Sequence, residues 1–172
     1  PNTSSAASDV YKRQYVSYWI GDIASDNCIA GGESVTDTEG LHQIEYMTHG
    51  AVNEECRSVM RYNYCGIARC NFILEPKQNN VEFASKEVIL AEAKFLRAFY
   101  YFELVKFFGA IPLVIDERLG VQQVSELSRT PKEQVYAQIE SDLQDAVATL
   151  SWKSESSHSG IKGRVDKGAA LG

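Results

Sequence analysis

A chain of 172 residues that is 44% hydrophobic and 23% charged has ordinary globular composition, enough for one core. Its formal net charge of −6 argues against a nucleic-acid partner, because phosphate binding needs clustered Lys and Arg, and it fits neutral ligands or protein partners equally well. No run of roughly 18 apolar residues crosses a bilayer as a helix, and no basic segment followed by an apolar stretch opens the chain as a secretory signal would.

Pro1 to Gln14 is small and polar with no core pattern, and is read as a non-native or disordered leader. Tyr15, Tyr18, Trp19 and Ile23 then repeat at helical spacing, as in a short packing helix. Ala24 to Gly40 is rich in Gly, Asp, Ser and Thr without sustained period, which predicts a loop. Loops longer than about 12 to 15 residues in compact proteins tend to be functional or disordered. A second helix is expected to begin at Asn53-Glu-Glu55, with Asn as cap and two carboxylates in the first turn, where the helix dipole favours them. Cys56, Met60, Asn63, Ile67, Cys70 and Leu74 make its buried stripe, and Pro76 follows its end. Lys77 to Ala84 reads as a polar turn that sets this helix antiparallel to the next.

Ser85 to Phe108 contains no Gly or Pro and has high summed helix propensity, so it is expected as one long helix. Val88, Ala91, Phe95, Ala98, Phe102 and Val105 fall on one side of it, and Ile89, Ala93, Leu96, Tyr100 and Phe107 on the other. Two narrow charged seams separate them, one holding Lys86, Glu87, Lys94 and Arg97, the other Glu92, Glu103 and Lys106. A helix with two apolar faces must lie between neighbours in a stack. A charge placed at Phe102 is therefore expected to abolish folding. Arg97 is read as a structural partner for Glu92, for the neighbours of Lys94 or for a backbone carbonyl, rather than as an anion receptor. Gly109 supplies a left-handed terminus, Pro112 forbids continuation, and the chain leaves extended through Ile111 to Ile115.

The string from Ala91-Glu-Ala-Lys-Phe-Leu-Arg-Ala-Phe-Tyr-Tyr through Phe108-Gly-Ala-Ile-Pro-Leu-Val114 closely resembles the signature segment of the SusD/RagB family, nutrient-binding lipoproteins of the Bacteroidetes outer membrane. Tyr62 to Leu74 resembles the family's Tyr-x-x-Ile-x-x-x-Asn segment, although Val59-Met60 stand where members often carry a Trp. Further on, Asp116 to Ser128 reads as a polar crossing. Thr130-Pro-Lys-Glu133 predicts a helix start with Thr as cap, Pro at the first position and Glu completing a capping box. Val135, Ile139, Leu143, Ala146, Val147 and Leu150 form its stripe against an exposed side with Glu140, Asp142 and Asp145. Gln138, Ile139, Asp142, Leu143 and Ala146 resemble the family's Gln-Ile-x-x-Asp-Leu-x-x-Ala element. Gly163 to Gly172 resembles the opening of its next helix.

The fold expected is all-α, with tetratricopeptide-like stacked helix pairs and long irregular loops. Residues 15–172 are read as the N-terminal part of a SusD-like helical domain, about a third of a typical member, cut at both ends. The resemblance implies cell-surface binding of oligosaccharides for uptake through a SusC-like TonB-dependent transporter, with the membrane reached only through a lipid anchor lying outside this sequence. It places the 24–40 loop on the ligand-facing side, where Asp26, Asn27, Glu33 and Asp37 are candidates to hydrogen-bond sugar hydroxyls and Tyr46 is the nearest aromatic. The alternative for the acidic and hydroxyl residues is that they cap turns. A helical-repeat scaffold for a protein partner, without sugar binding, is the other reading of the whole.

No cofactor, metal or catalytic residue is expected. Cys28, Cys56, Cys65 and Cys70 include no Cys-x-x-Cys pair, and His42, His49 and Cys56 share only a spacing of seven. Cys56 and Cys70 lie about 21 Å apart along one helix, too far for a disulfide. Glu92 and Glu103 lie about 16 Å apart, beyond the roughly 5 to 9.5 Å of glycosidase carboxylate pairs. Neither a nucleophile elbow nor a phosphate loop nor a dinucleotide fingerprint occurs.

Overall fold

A computed structural model describes residues 20–25, 27–34, 36–75, 82–115, 119–153 and 164–172. The chain forms two compact units, Pro1–Tyr62 and Asn63–Gly172. The named elements are helices: α1 (Glu39–Glu45), α2 (Glu54–Leu74), α3 (Lys86–Phe108), α4 (Val121–Ser125), α5 (Lys132–Thr149) and α6 (Lys167–Leu171). The boundary between units falls within α2. The expected all-α architecture is therefore present among the described residues, whose β pairing is an isolated bridge between Ile111 and Thr130.

In the first unit, residues 20–23 are helical, and Ile20, Ile23, Ala30, Leu41, Ile44 and Val59 are buried. The rest of the expected first helix lies outside the described residues. Helix α1 was not anticipated, because seven residues with two buried positions, Leu41 and Ile44, are too few for a period to register. Its end is a hydrogen-bonded reversal: Thr48 N–H donates to Gln43 O at 2.8 Å and Met47 N–H to Ile44 O at 3.0 Å, with Met47 at φ 53°. Asn53 caps α2 as expected. Its Oδ1 accepts from the Glu55 and Cys56 amides at 3.1 Å each, while its Nδ2 donates to Gly40 O at 2.9 Å and Gln43 Oε1 at 3.1 Å. One buried amide thus satisfies two orphan helix donors and ties α1 to α2.

In the second unit α3 is central. It runs antiparallel to the later half of α2, as contacts Tyr64 to Tyr101, Gly66 to Tyr100 and Asn71 to Arg97 show by their opposed order. On another side it packs along α5, with Ala91, Ala146, Leu150 and Ala170 at the centre of a cluster edged by Val88, Phe95, Val147 and Val165. Small residues at Ala91 and Ala146 let the backbones approach, and α6 closes the cluster by packing on α5. Asp166 caps α6 by accepting from the Ala169 amide at 2.9 Å.

The buried surface of α3 is not the pair of faces predicted. Ala91, Ala93, Arg97, Ala98, Tyr101, Leu104 and Val105 form one broad buried arc, whereas Leu96, Phe99 and Phe102 are 38%, 47% and 42% exposed. Phe102 therefore does not sit in a closed apolar face, and the expectation that a charge there abolishes folding is withdrawn. The arc is rotated because Arg97, assigned from sequence to a charged seam, is buried in the helix's midline. Asp142, assigned to the exposed side of α5, is buried opposite it. Two charges that look like surface positions singly become interior ones as a pair. Val59 is likewise more deeply buried than Cys56, Met60 or Leu74 of the predicted α2 stripe.

Gly109 ends α3 with φ 65°, its amide donating to Val105 O at 3.0 Å, and the chain leaves extended as predicted. The exit segment has almost no β partner, so side chains satisfy its backbone. Tyr64 Oη donates to Pro112 O at 2.6 Å, and Tyr101 Oη donates to Val114 O at 2.7 Å while accepting from Val114 N at 2.8 Å. Asn71 Nδ2 also donates to Val114 O at 2.8 Å, and Arg97 Nη1 to Ile115 O at 2.8 Å. The capping box predicted at Thr130 does not form. Thr130 N–H is drawn to Ile111 O at 2.9 Å, Pro131 takes the cap position without a side-chain bond, and α5 starts at Lys132.

Candidate functional site

The loop of the first unit is built by its own polar side chains. Ser25 Oγ donates to Asp22 O at 2.7 Å and accepts from the Asn27 amide at 3.3 Å. Asp37 Oδ2 accepts from the Glu33 amide at 2.8 Å, and Thr38 Oγ1 donates to Gly31 O at 3.3 Å. Gly32 permits this closure, since a Cβ there would stand 2.6 Å from the Asp37 Cβ. Turn capping, the structural alternative for Asp37, accounts for one of its oxygens.

Glu45 fastens the loop to α1. Its Oε2 accepts from the Ala30 amide at 3.2 Å and lies 3.5 Å from His42 Nδ1. The His42 ring stacks with Tyr46 at 6.5 Å between centroids and 12° between planes. His42 Nε2 is buried without a hydrogen-bond partner among the described residues. Tyr46, fixed as the C-cap of α1, is 68% exposed, so an aromatic surface beside a second ring stands at the end of the helix that follows the loop. In the same unit, Asp22, Ile23, Cys28, Ala30, Thr38 and Leu41 line a recess of about 330 Å³.

Four of the five candidates from sequence lie among the described residues of this loop and helix. Glu33 and Asp37 touch directly, Asn27 lies earlier on the same loop, and Tyr46 joins through His42 and Glu45. Asp26 lies outside the described residues. His42 and Glu45, which support the Tyr46 ring and the loop, were not among those candidates. Their spacing to Tyr46 and His42, four and three residues, is legible once α1 is known to be helical.

The second unit carries an open polar cleft of about 650 Å³ bordered by Asn71, Glu87, Lys94, Arg97, Asp145 and Thr149. Arg97 at its floor forms two bonds to Asp142, at 2.8 and 2.7 Å, and one to Asn71 Oδ1 at 3.0 Å. Burial works against its charge, but the bonds and the charge of Asp142 outweigh that and hold its protonation above the ordinary arginine value. The sequence reading of Arg97 as structural is right. The backbone-carbonyl partner exists in Ile115, whereas Glu92 is taken by Arg164, with Nε to Oε1 at 2.8 Å. Lys94 pairs with Asp145.

Residues 5–172 match the SusD-like family described as starch-binding and associating with the outer membrane. A SusD-like protein, P2, of Formosa agariphila is 40% identical over 58 residues, which are 34% of this chain and 12% of the relative. Among solved structures, surface glycan-binding protein A of Bacteroides uniformis matches with a TM-score of 0.74 and 28% identity, covering 90% of this chain and 34% of that one. A laminarin-binding SusD-like protein matches with a TM-score of 0.71 and 27% identity over 95% of this chain and 38% of that one. The chain thus spans little more than a third of the length of the solved relatives it matches. With its helical fold and a match over nearly all its length, the chain belongs to the SusD-like family of starch-binding proteins that associate with the outer membrane.

Proposed function

We propose that the chain captures oligosaccharides at the cell surface, without chemical turnover, for passage to a SusC-like TonB-dependent transporter in the outer membrane to which a lipid anchor tethers it. The observation that carries the reading is the exposed Tyr46 ring, stacked on His42 at the end of the helix that follows an acidic, hydroxyl-rich loop, in a chain of a starch-binding family. A sugar face packs on such a ring while neighbouring carboxylates and amides take its hydroxyls. Glu33, Asp37 and Asn27 supply those groups here. The similarity to surface glycan-binding protein A and to a laminarin-binding relative supports the ligand class.

Isothermal titration of the chain with β-glucan oligosaccharides tests this. Saturable heat is expected, with Tyr46→Ala weakening binding about tenfold or more and leaving the helical circular dichroism unchanged. Equal binding by the variant removes Tyr46 from the site. A second reading, a scaffold that docks a protein and no sugar, is favoured by the exposed Leu96, Phe99 and Phe102 ridge on α3. Retention of a SusC-like transporter by a chain that gives no heat with any glycan would select it.

A further inference from the structure

Two residues other than glycine take the left-handed backbone region among the described residues, Thr38 at φ 50° and Met47 at φ 53°. Crowding of Cβ against the following carbonyl makes this region unfavourable for an L side chain, and glycine or asparagine is its usual occupant. Thr38 uses the conformation: its carbonyl accepts from the Leu41 and His42 amides at 2.8 and 3.2 Å, while its hydroxyl donates to Gly31 O at 3.3 Å. Met47 carries a thioether, which donates no such bond. Its amide and that of Thr48 close a Schellman turn on Ile44 O and Gln43 O, at 3.0 and 2.8 Å, and that turn needs nothing of residue 47 beyond Cα. Glycine would serve it better. The apolar contact that often accompanies such a turn falls here to two polar residues, Gln43 and Thr48. Met47 instead stands 63% exposed, next in sequence to the exposed Tyr46.

We propose that Met47 is a ligand contact that extends the Tyr46 platform, its thioether chain packing against the C–H face of the sugar next to the one stacked on the ring. This rests on the glycan-binding reading and assigns that site a second contact residue. A backbone held against its intrinsic preference, at a position whose side chain mostly faces solvent, points to a use outside the fold. An unbranched, polarizable side chain adapts to an irregular surface such as the ring hydrogens of a pyranose, and the contact removes apolar area from water on both partners.

Titration of the whole chain with α-glucan and β-glucan oligosaccharides, read beside thermal unfolding, provides the test. Met47→Gly removes both the side chain and the backbone cost, so Tm is expected to rise by about 2 to 4 °C while affinity for the oligosaccharide bound more tightly falls roughly threefold to tenfold. Met47→Leu keeps the apolar bulk and the backbone cost, and is expected to bind within about twofold of the unaltered chain without the gain in Tm. A residue that serves only the fold predicts the reverse for Met47→Gly, a lower Tm and unchanged affinity. Unchanged affinity in Met47→Gly, or a fall in its Tm, overturns the Met47 contact alone, since Tyr46→Ala tests the platform separately. Absence of binding by the unaltered chain to both oligosaccharide classes overturns the glycan reading and this inference with it.

Discussion

Arg97 of α3 and Asp142 of α5 face each other through two parallel bonds, Nε to Oδ2 at 2.8 Å and Nη2 to Oδ1 at 2.7 Å, with 6% and 2% of their surfaces exposed. The same guanidinium reaches Asn71 of α2 and the Ile115 carbonyl of the exit segment, and Gln138 Nε2 donates to Asp142 at 3.1 Å. One residue therefore joins three helices and the extended segment that leaves them. Removing its partner strands a buried cation. Asp142→Ala is expected to cost about 3 to 5 kcal/mol in urea unfolding, and the double change Arg97→Met with Asp142→Leu to recover much of that loss. A double variant less stable than the single one would show that the pair, not its burial, holds the helices.

Asn53 is a cap whose amide works at both ends. Asn53→Ala removes two acceptor contacts to α2 and leaves the Gly40 carbonyl and Gln43 side chain without their donor. The loss expected is about 2 kcal/mol, toward the upper end for helix caps, and Asn53→Asp should restore only the capping half. Thermal unfolding of the three proteins checks the order.

Gly66 meets the ring of Tyr100 so closely that an added Cβ would lie 2.4 Å from it. Gly66→Ala improves intrinsic helix propensity by about 1 kcal/mol, yet forces the α2 and α3 backbones or the ring to move, at about 1 to 3 kcal/mol. Net destabilisation is expected, with a favourable coupling when Tyr100→Leu is combined with it. A double-mutant cycle measures that coupling, and strict additivity would place the clash elsewhere.

Tyr101 is wholly buried, and burial pushes its pKa from 10.0 up to about 12. Its hydroxyl must keep its proton to donate to Val114 O. Tyr64 is shifted in the same direction, again by burial first. Between pH 10 and 12 the unfolded chain binds fewer protons at Tyr101 than the folded one, so stability falls as pH rises. The contribution is complete below about pH 10 and lost as pH climbs through about 12. Alkaline unfolding followed by tyrosinate absorbance should show Tyr101→Phe losing part of this dependence, with the share of Tyr64 remaining, at some cost in stability near neutrality because the Val114 amide loses its acceptor and its carbonyl keeps only Asn71.

Much of this architecture was legible before any coordinates. The long helix of α3, its stop at Gly109 and Pro112, the Asn53 cap and the helix pair around α2 follow from local rules of propensity, capping and turn chemistry, which act within a few residues. The family resemblance was carried by the same stretch, because a packed helix and its exit constrain many neighbouring positions at once. Asn27, Glu33, Asp37 and Tyr46 were also identifiable as polar and aromatic groups around a long loop.

Tertiary structure alone decided what faces inward. Periodicity sorts a helix into apolar and charged positions, and by that measure Arg97 and Asp142 belonged outside and Phe102 inside. Burial of a charge depends on whether a partner 45 residues away arrives with the right geometry, which no local window contains. The exit segment's polar rack and the Glu45 and His42 support beneath Tyr46 are likewise contacts between distant parts of the chain or across a helix too short to announce itself. Local chemistry wrote the elements; the pairing of remote polar groups chose their orientation.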